Sequence, residues 1–81
     1  MKELEEIVND LKYCLAEKEK EIASNPQVSS YTISALQNRR LEVALFEKST
    51  KEVTSDPTQT ANIIANFTSG AKELKTAINS I

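Results

Sequence analysis

The chain has 81 residues with a formal net charge of −2, no histidine and a single cysteine. A chain of this length forms one domain with a small core, here residues 1–81, and its composition excludes an intramolecular disulfide and the usual histidine-based zinc and iron sites. The slight negative charge gives no general attraction to nucleic acid or anionic membranes, and a single glycine favours long helices over a turn-rich sheet.

Residues 2–24 predict the first helix. Glutamates crowd its first turn, where the helix dipole favours negative charge. Asn25 and Pro26 predict its end, because asparagine tolerates the left-handed conformation and proline restricts the residue before it. The helix carries apolar residues at helical spacing, interrupted by Lys18: Leu4, Ile7, Val8, Leu11, Cys14, Leu15 and Ile22.

Residues from about 30 to about 54 predict the second helix, with Ser29, Ser30 and Thr32 all open as its N-cap. Residues 41–46 are apolar on almost every side of a helix. A helix of this kind must be covered from more than one direction, so we expect it to lie at the centre of the bundle. Two apolar sets are expected to pack: Ile33, Leu36, Leu41, Ala44 and Leu45, and Val43, Phe46, Thr50 and Val53.

Residues from about 57 to about 80 predict the third helix. Asp56 suits its N-cap, Pro57 its first position and Gln59 a capping box. Gly70 lowers the helix propensity and is expected to allow a close approach by another helix. Apolar side chains alternate in steps of four and three, as in a bundle seam: Thr60, Ile64, Phe67, Ala71, Leu74, Ile78 and Ile81.

These elements predict an all-α fold, in which three long helices form an antiparallel up-down-up bundle. Small domains usually supplement a thin core with disulfides, a metal or a second subunit. Because the composition leaves only the last of these, we favour a homodimer, in which a second copy completes the bundle; a monomer whose three helices cover one another is the alternative.

The sequence contains no recognisable catalytic constellation. Cys14 is the only candidate nucleophile, and without a histidine base it is interpreted as a packing residue of the apolar stripe. The carboxylates of the first helix lie away from that stripe and lack the Glu-x-x-His element of bundle metal sites. We therefore expect no enzymatic activity, no cofactor and no metal.

The one basic group consists of Arg39, Arg40, Lys48 and Lys51. It supports an alternative function as a nucleic-acid-associated protein, which we disfavour because a DNA-reading helix needs more phosphate-neutralising residues. We expect the arginines instead to pair with Glu42 or with the acidic first helix.

The third helix begins with a stretch that carries no charge from Pro57 to Ala71. Exposed helices usually carry Glu and Lys, whereas the centres of protein interfaces are depleted in charge. The stretch reflects either a compositional preference for small polar residues or a face that contacts a protein. The outward positions of this candidate contact face are Thr58, Gln59, Asn62, Asn66 and Ser69.

No family resemblance emerges from these residues. Size, helical content and the lack of catalytic groups are typical of small regulatory proteins of bacteria and their phages, such as inhibitors, adaptors, antitoxin-like proteins, holin antagonists and assembly chaperones. The sequence has no signal-peptide pattern and no apolar run of membrane-spanning length. We therefore expect a cytoplasmic regulatory module that acts by binding another protein and does not insert into a membrane.

Overall fold

A computed structural model describes residues 2–53 and 58–81. The described chain folds into three α-helices: α1 (Lys2–Ala23), α2 (Ser30–Lys51) and α3 (Thr60–Asn79). Every helix packs against the other two, which confirms the predicted all-α three-helix bundle. The bundle is elongated, with principal extents of 50 × 17 × 16 Å.

Side-chain pairs between the helices establish the up-down-up order. Lys12 pairs with Glu47, and Glu19 pairs with Arg40, so residue numbers rise along α1 as they fall along α2. In contrast, Asp10 pairs with Lys75 and the Cys14 thiol lies against Asn79, so the numbers rise together in α1 and α3. Thus α2 runs antiparallel to both other helices.

The helix at the centre of the core is α1, and the expectation that residues 41–46 occupy this place is wrong. Four α1 side chains are buried, and α1 packs most extensively against α3. In α2, Leu41 remains 60% exposed and Leu45 54% exposed. Both neighbours of a helix in a three-helix bundle lie on one side of it, so an apolar group on the far side stays in water. The buried α1 residues are Leu4, Val8, Leu11 and Leu15.

Only one stripe of α2 enters the core. Leu36 and Val43 are buried, and Phe46 and Thr50 follow at heptad spacing as half-buried residues. Of the first apolar set expected to pack, Leu36 alone is buried, because the rest of that set lies on other sides of the helix.

The predicted seam of α3 is confirmed. Each of its seven residues is buried or half-buried, and Ile78 is fully enclosed. Phe67 meets Phe46 edge-to-face, with ring centroids 5.4 Å apart, a favourable geometry for aromatic pairs. The sequence period therefore identified which side of α3 packs.

The structure identifies the N-cap of α2 and shifts the predicted helix boundaries by one to three residues. The Ser29 hydroxyl caps α2 by accepting a hydrogen bond from the Thr32 amide at 3.2 Å. Asn25 does not take the left-handed conformation; its side chain accepts from the Gln27 amide at 3.0 Å and so forms a local turn. The third helix begins at Thr60 with Gln59 as its N-cap residue, whereas the predicted roles of Asp56 and Pro57 lie outside the described residues.

Candidate functional site

The seam between α1 and α2 is closed by two ion pairs. The Arg40 guanidinium reaches the Glu19 carboxylate from Nη2 at 2.9 Å and from Nε at 3.0 Å. The Lys12 amine donates to Glu47, and this hydrogen bond holds the pKa of the Glu47 carboxyl below its usual value. The pairs stand one heptad apart on both helices, so they fix the register of the seam.

The seam between α1 and α3 is closed in a similar way. The Lys75 amine lies 3.0 Å from Asp10, and this hydrogen bond raises the pKa of the amine above its usual value. One turn along, the Cys14 thiol lies 3.5 Å from the Asn79 side-chain oxygen. Cys14 is half-buried against the core, as its interpretation as a packing residue requires.

The third seam is open, and we call it the α2–α3 groove. Among the described residues, no ion pair joins α2 to α3, and these two helices pack least extensively. Concave surface follows both helices, one part near Ala35 and the other near Ser49, and Ala77 belongs to both parts. The groove walls combine small and apolar side chains, including Ala35, Leu45 and Ser49 on α2 and Gly70, Leu74 and Ala77 on α3.

Gly70 lies in this groove opposite Phe46. A methyl group at its α-carbon would meet the Phe46 ring edge at 3.4 Å, an ordinary van der Waals distance. Packing between α2 and α3 therefore does not require glycine here, although the residue does border a neighbouring helix as expected. Since glycine costs a helix about 1 kcal/mol relative to alanine, alanine would favour the helix at this position.

Two exposed apolar side chains of α2, Tyr31 and Leu45, line the groove. Among the described residues, five large apolar side chains are exposed, and four of them belong to α2. Leu45 forms part of the groove wall, Leu41 lies one turn before it, and Tyr31 stands 83% exposed at the far end. Ile33 is the fourth. Exposed apolar groups that line a concave surface mark a place that association would cover.

The groove carries an asymmetric set of charges. Near Gly70 its charged side chains are Glu42 and Glu73. The Glu42 carboxylate accepts from Arg39 Nη2 at 2.7 Å, whereas Glu73 has no ion-pair partner in the described chain. Towards Tyr31 the charged lining residue is Arg39, whose Nε–H is buried without an acceptor among the described residues. The middle of the groove is therefore acidic.

The candidate contact face of α3 adjoins this groove. All five of its residues are exposed, and the Asn62 amide donates to Gln59 at 3.3 Å. Asn66 precedes Gly70 by four positions, so these residues share one side of α3. The face thus continues the α3 wall towards the start of the helix. That it contacts a protein stays a prediction.

The candidate basic group does not form one surface. Arg39 pairs with Glu42 and Arg40 with Glu19, as the sequence predicted for these arginines. Lys48 and Lys51 are exposed. Arg39 and Lys48 are separated by about two and a half helical turns, which places them on opposite sides of α2. The four cations are close in sequence but do not all lie on one side of α2, and two of them already have anionic partners.

In residues 2–53 and 58–81, no cluster of three potential metal ligands is present. Non-covalent association through the groove is the chemistry that this arrangement supports best.

Sequence reasoning missed the groove for one reason. The two apolar sets of α2 were both assigned to the core, although a single stripe suffices for a helix with two neighbours. The signal was present: the Leu41 and Leu45 positions lie roughly opposite the Leu36 and Val43 positions on a helical wheel. No sequence pattern predicts the buried Nε of Arg39, because its burial depends on packing between helices.

No protein-family model, characterised protein or solved structure matches the chain. No helix within the described ranges has both the length and the apolar character needed to cross a membrane.

Proposed function

We propose that the chain is a regulatory module that acts by binding another protein, and that its contact surface is the α2–α3 groove with the exposed apolar face of α2. The observation that carries this proposal is the exposure of Tyr31 and Leu45 in the seam that, among the described residues, has no ion pair between its helices. We place this activity in the cytoplasm, in keeping with the lone unpaired thiol.

The surface has the composition that protein interfaces favour. Leu45 and Tyr31 supply apolar and aromatic area at the rim. Ala35 and Ala77 have small side chains, which let a partner approach the helix backbone. Aromatic side chains often provide the strongest contacts of a protein interface. These features support a protein partner more strongly than a small ligand, because the groove is open along its length.

Site-specific photocrosslinking in the native cells tests this proposal. A photoreactive amino acid replaces Ser49 in the groove, and a matched variant carries it at Glu17, which lies on the α1–α3 side. We expect a protein adduct of defined mass from position 49 and none from position 17. Equal adducts at both positions, or none at position 49, would contradict the proposal.

The same experiment addresses the two other hypotheses. An adduct sensitive to nuclease would support the nucleic-acid alternative built on Arg39, Arg40, Lys48 and Lys51. An adduct of twice the chain mass of 9.0 kDa would support the homodimer expected from the small core. Both occupants differ in mass and in enzyme sensitivity from a foreign protein, so the outcomes can be told apart on one gel.

A further inference from the structure

We infer that the partner enters the α2–α3 groove as a single amphipathic helix, whose apolar stripe is flanked by lysine or arginine. This inference rests on the proposed function and names the chemistry of the occupant.

The length and spacing of the groove fit a helix. From Ala35 to Ser49 the α2 wall extends for about 21 Å at the helical rise per residue. Positions 35, 38, 42, 45 and 49 alternate in steps of three and four, and α3 positions 70, 73 and 77 continue the same period. A 3.5-residue period on both walls matches the side-chain period of an added helix, which would complete a four-helix bundle.

An extended peptide fits this surface less well. Strand addition depends on hydrogen bonds to free backbone groups at a sheet edge. Both walls here are helices, whose interior backbone groups are already paired within each helix. A helical occupant satisfies its own backbone and needs only side-chain contacts.

Charge favours a basic helix. Glu42 and Glu73 line the middle of the groove near Leu45 and Gly70, and no lysine lines that part. Glu73 has no ion-pair partner among the described residues. A second copy of the chain would present both Glu42 and Lys48 beside its exposed leucines, so its charge there is mixed and complements the groove less well. A foreign helix with flanking lysines has the complementary sign.

Two synthetic helical peptides of about 18 residues supply the probe; at about 27 Å each is long enough to span the groove. Both carry leucine at heptad a and d positions; one has lysine at the flanking positions and the other has glutamate there. Binding of each labelled peptide to the full chain is followed by fluorescence anisotropy at fixed ionic strength. We expect the lysine peptide to bind about tenfold more tightly or better.

Matched charge reversals separate the groove from the general charge of the chain. Glu73→Lys changes a groove residue, while Glu17→Lys makes the same change on the α1–α3 side. We expect the first to weaken the lysine peptide by about tenfold and the second by less than about twofold. Both residues are exposed, and circular dichroism verifies that each variant remains helical.

Three results would overturn the inference. The first is equal affinity for the two peptides, and the second is equal weakening by Glu17→Lys and Glu73→Lys. The third is a solution mass of two chains that falls to one chain in Leu45→Glu, since the occupant would then be a second copy. Failure of the peptides while Ser49 still crosslinks a foreign protein would reject the helix but leave the proposed function intact. Absence of that adduct would reject the proposed function itself.

Discussion

The two sides on which α2 meets its neighbours differ in how they are held. Towards α1, two ion pairs one heptad apart join the helices on the solvent side of the core. Towards α3, contact depends on the Phe46–Phe67 pair and on small residues, with no ion pair in the described chain. One helix thus has a closed seam and an open one. Side-chain pairs across a seam exclude a further partner, and their absence leaves it accessible.

The largest effect on stability is expected from a comparison of one buried leucine, Leu11, with one exposed leucine of the groove, Leu45. Leu11 is 1% exposed in the core, and Leu11→Ala should lower the free energy of unfolding by about 3 kcal/mol through lost burial and the cavity it leaves. The matched Leu45→Ala removes the same atoms from the groove rim and should cost less than about 0.5 kcal/mol. Urea unfolding monitored by circular dichroism measures both. Equal losses would show that Leu45 is covered in solution by another molecule.

The aromatic pair is the main apolar link across the open seam. Phe67→Ala should cost about 2 kcal/mol, less than the 3–5 kcal/mol typical of fully buried phenylalanine, because Phe67 is half-buried. Phe67→Leu keeps most of the apolar contact and serves as the control. Thermal unfolding of both variants provides the measurement. A loss below about 0.5 kcal/mol for Phe67→Ala would mean that this aromatic pair contributes no more to stability than an exposed surface residue does.

Gly70 offers a substitution that stabilises the chain. Gly70→Ala should raise the free energy of unfolding by about 1 kcal/mol, because alanine restores helix propensity and its methyl group fits beside Phe46. For a domain of this size, that gain raises Tm by about 4–8 °C. The reciprocal Ala71→Gly should lower Tm by at least as much. If Gly70→Ala instead lowers the free energy of unfolding, the added methyl group clashes with the Phe46 ring, and the distance between them in solution is shorter than 3.4 Å.

The smallest expected effect concerns the closed seam and depends on pH. Because Lys12 lowers the pKa of Glu47 in the folded chain, the pair contributes stability above the unfolded pKa and loses it as pH falls through the folded pKa. Glu47→Gln should therefore lower Tm at neutral pH, and this difference should shrink as pH falls below the unfolded pKa of Glu47 and vanish below its lowered folded pKa. Glu17→Gln, which removes an acid without an ion-pair partner in the described chain, is the control. A Tm difference that persisted in acid would assign the effect to packing.

The sequence predicted α3 more accurately than α2. The α3 seam repeats without a miss from Thr60 to Ile81, and a single period identifies a single buried side. In α2 the apolar residues follow two directions, and the sequence alone cannot state which of them meets α1. That choice depends on the register of the whole bundle, so Leu41 and Leu45 were assigned to the core although they are exposed.

The candidate site was predictable only in part. The uncharged outward residues of α3 are visible in the sequence, and the structure places Asn66 on the side of Gly70 that continues the groove wall. Local charge rules also predicted the partners of Arg39 and Arg40. The groove itself joins residues of two helices, such as Leu45 and Ala77, and among the described residues no ion pair links those helices. The residue pattern of one helix cannot show whether ion pairs form between that helix and another.

The parallel packing of α1 and α3 also bears on how the chain folds. The pairs Asp10–Lys75 and Cys14–Asn79 each join residues 65 positions apart, and Ile78 lies fully enclosed in the core it shares with Leu11. Contacts between distant residues slow folding, because a long loop must close before they form. During synthesis, α1 and α2 therefore emerge without the helix that covers most of the apolar side of α1. The bundle can assemble only after α3 has left the ribosome, and until then α1 exposes apolar surface that invites aggregation or an early partner.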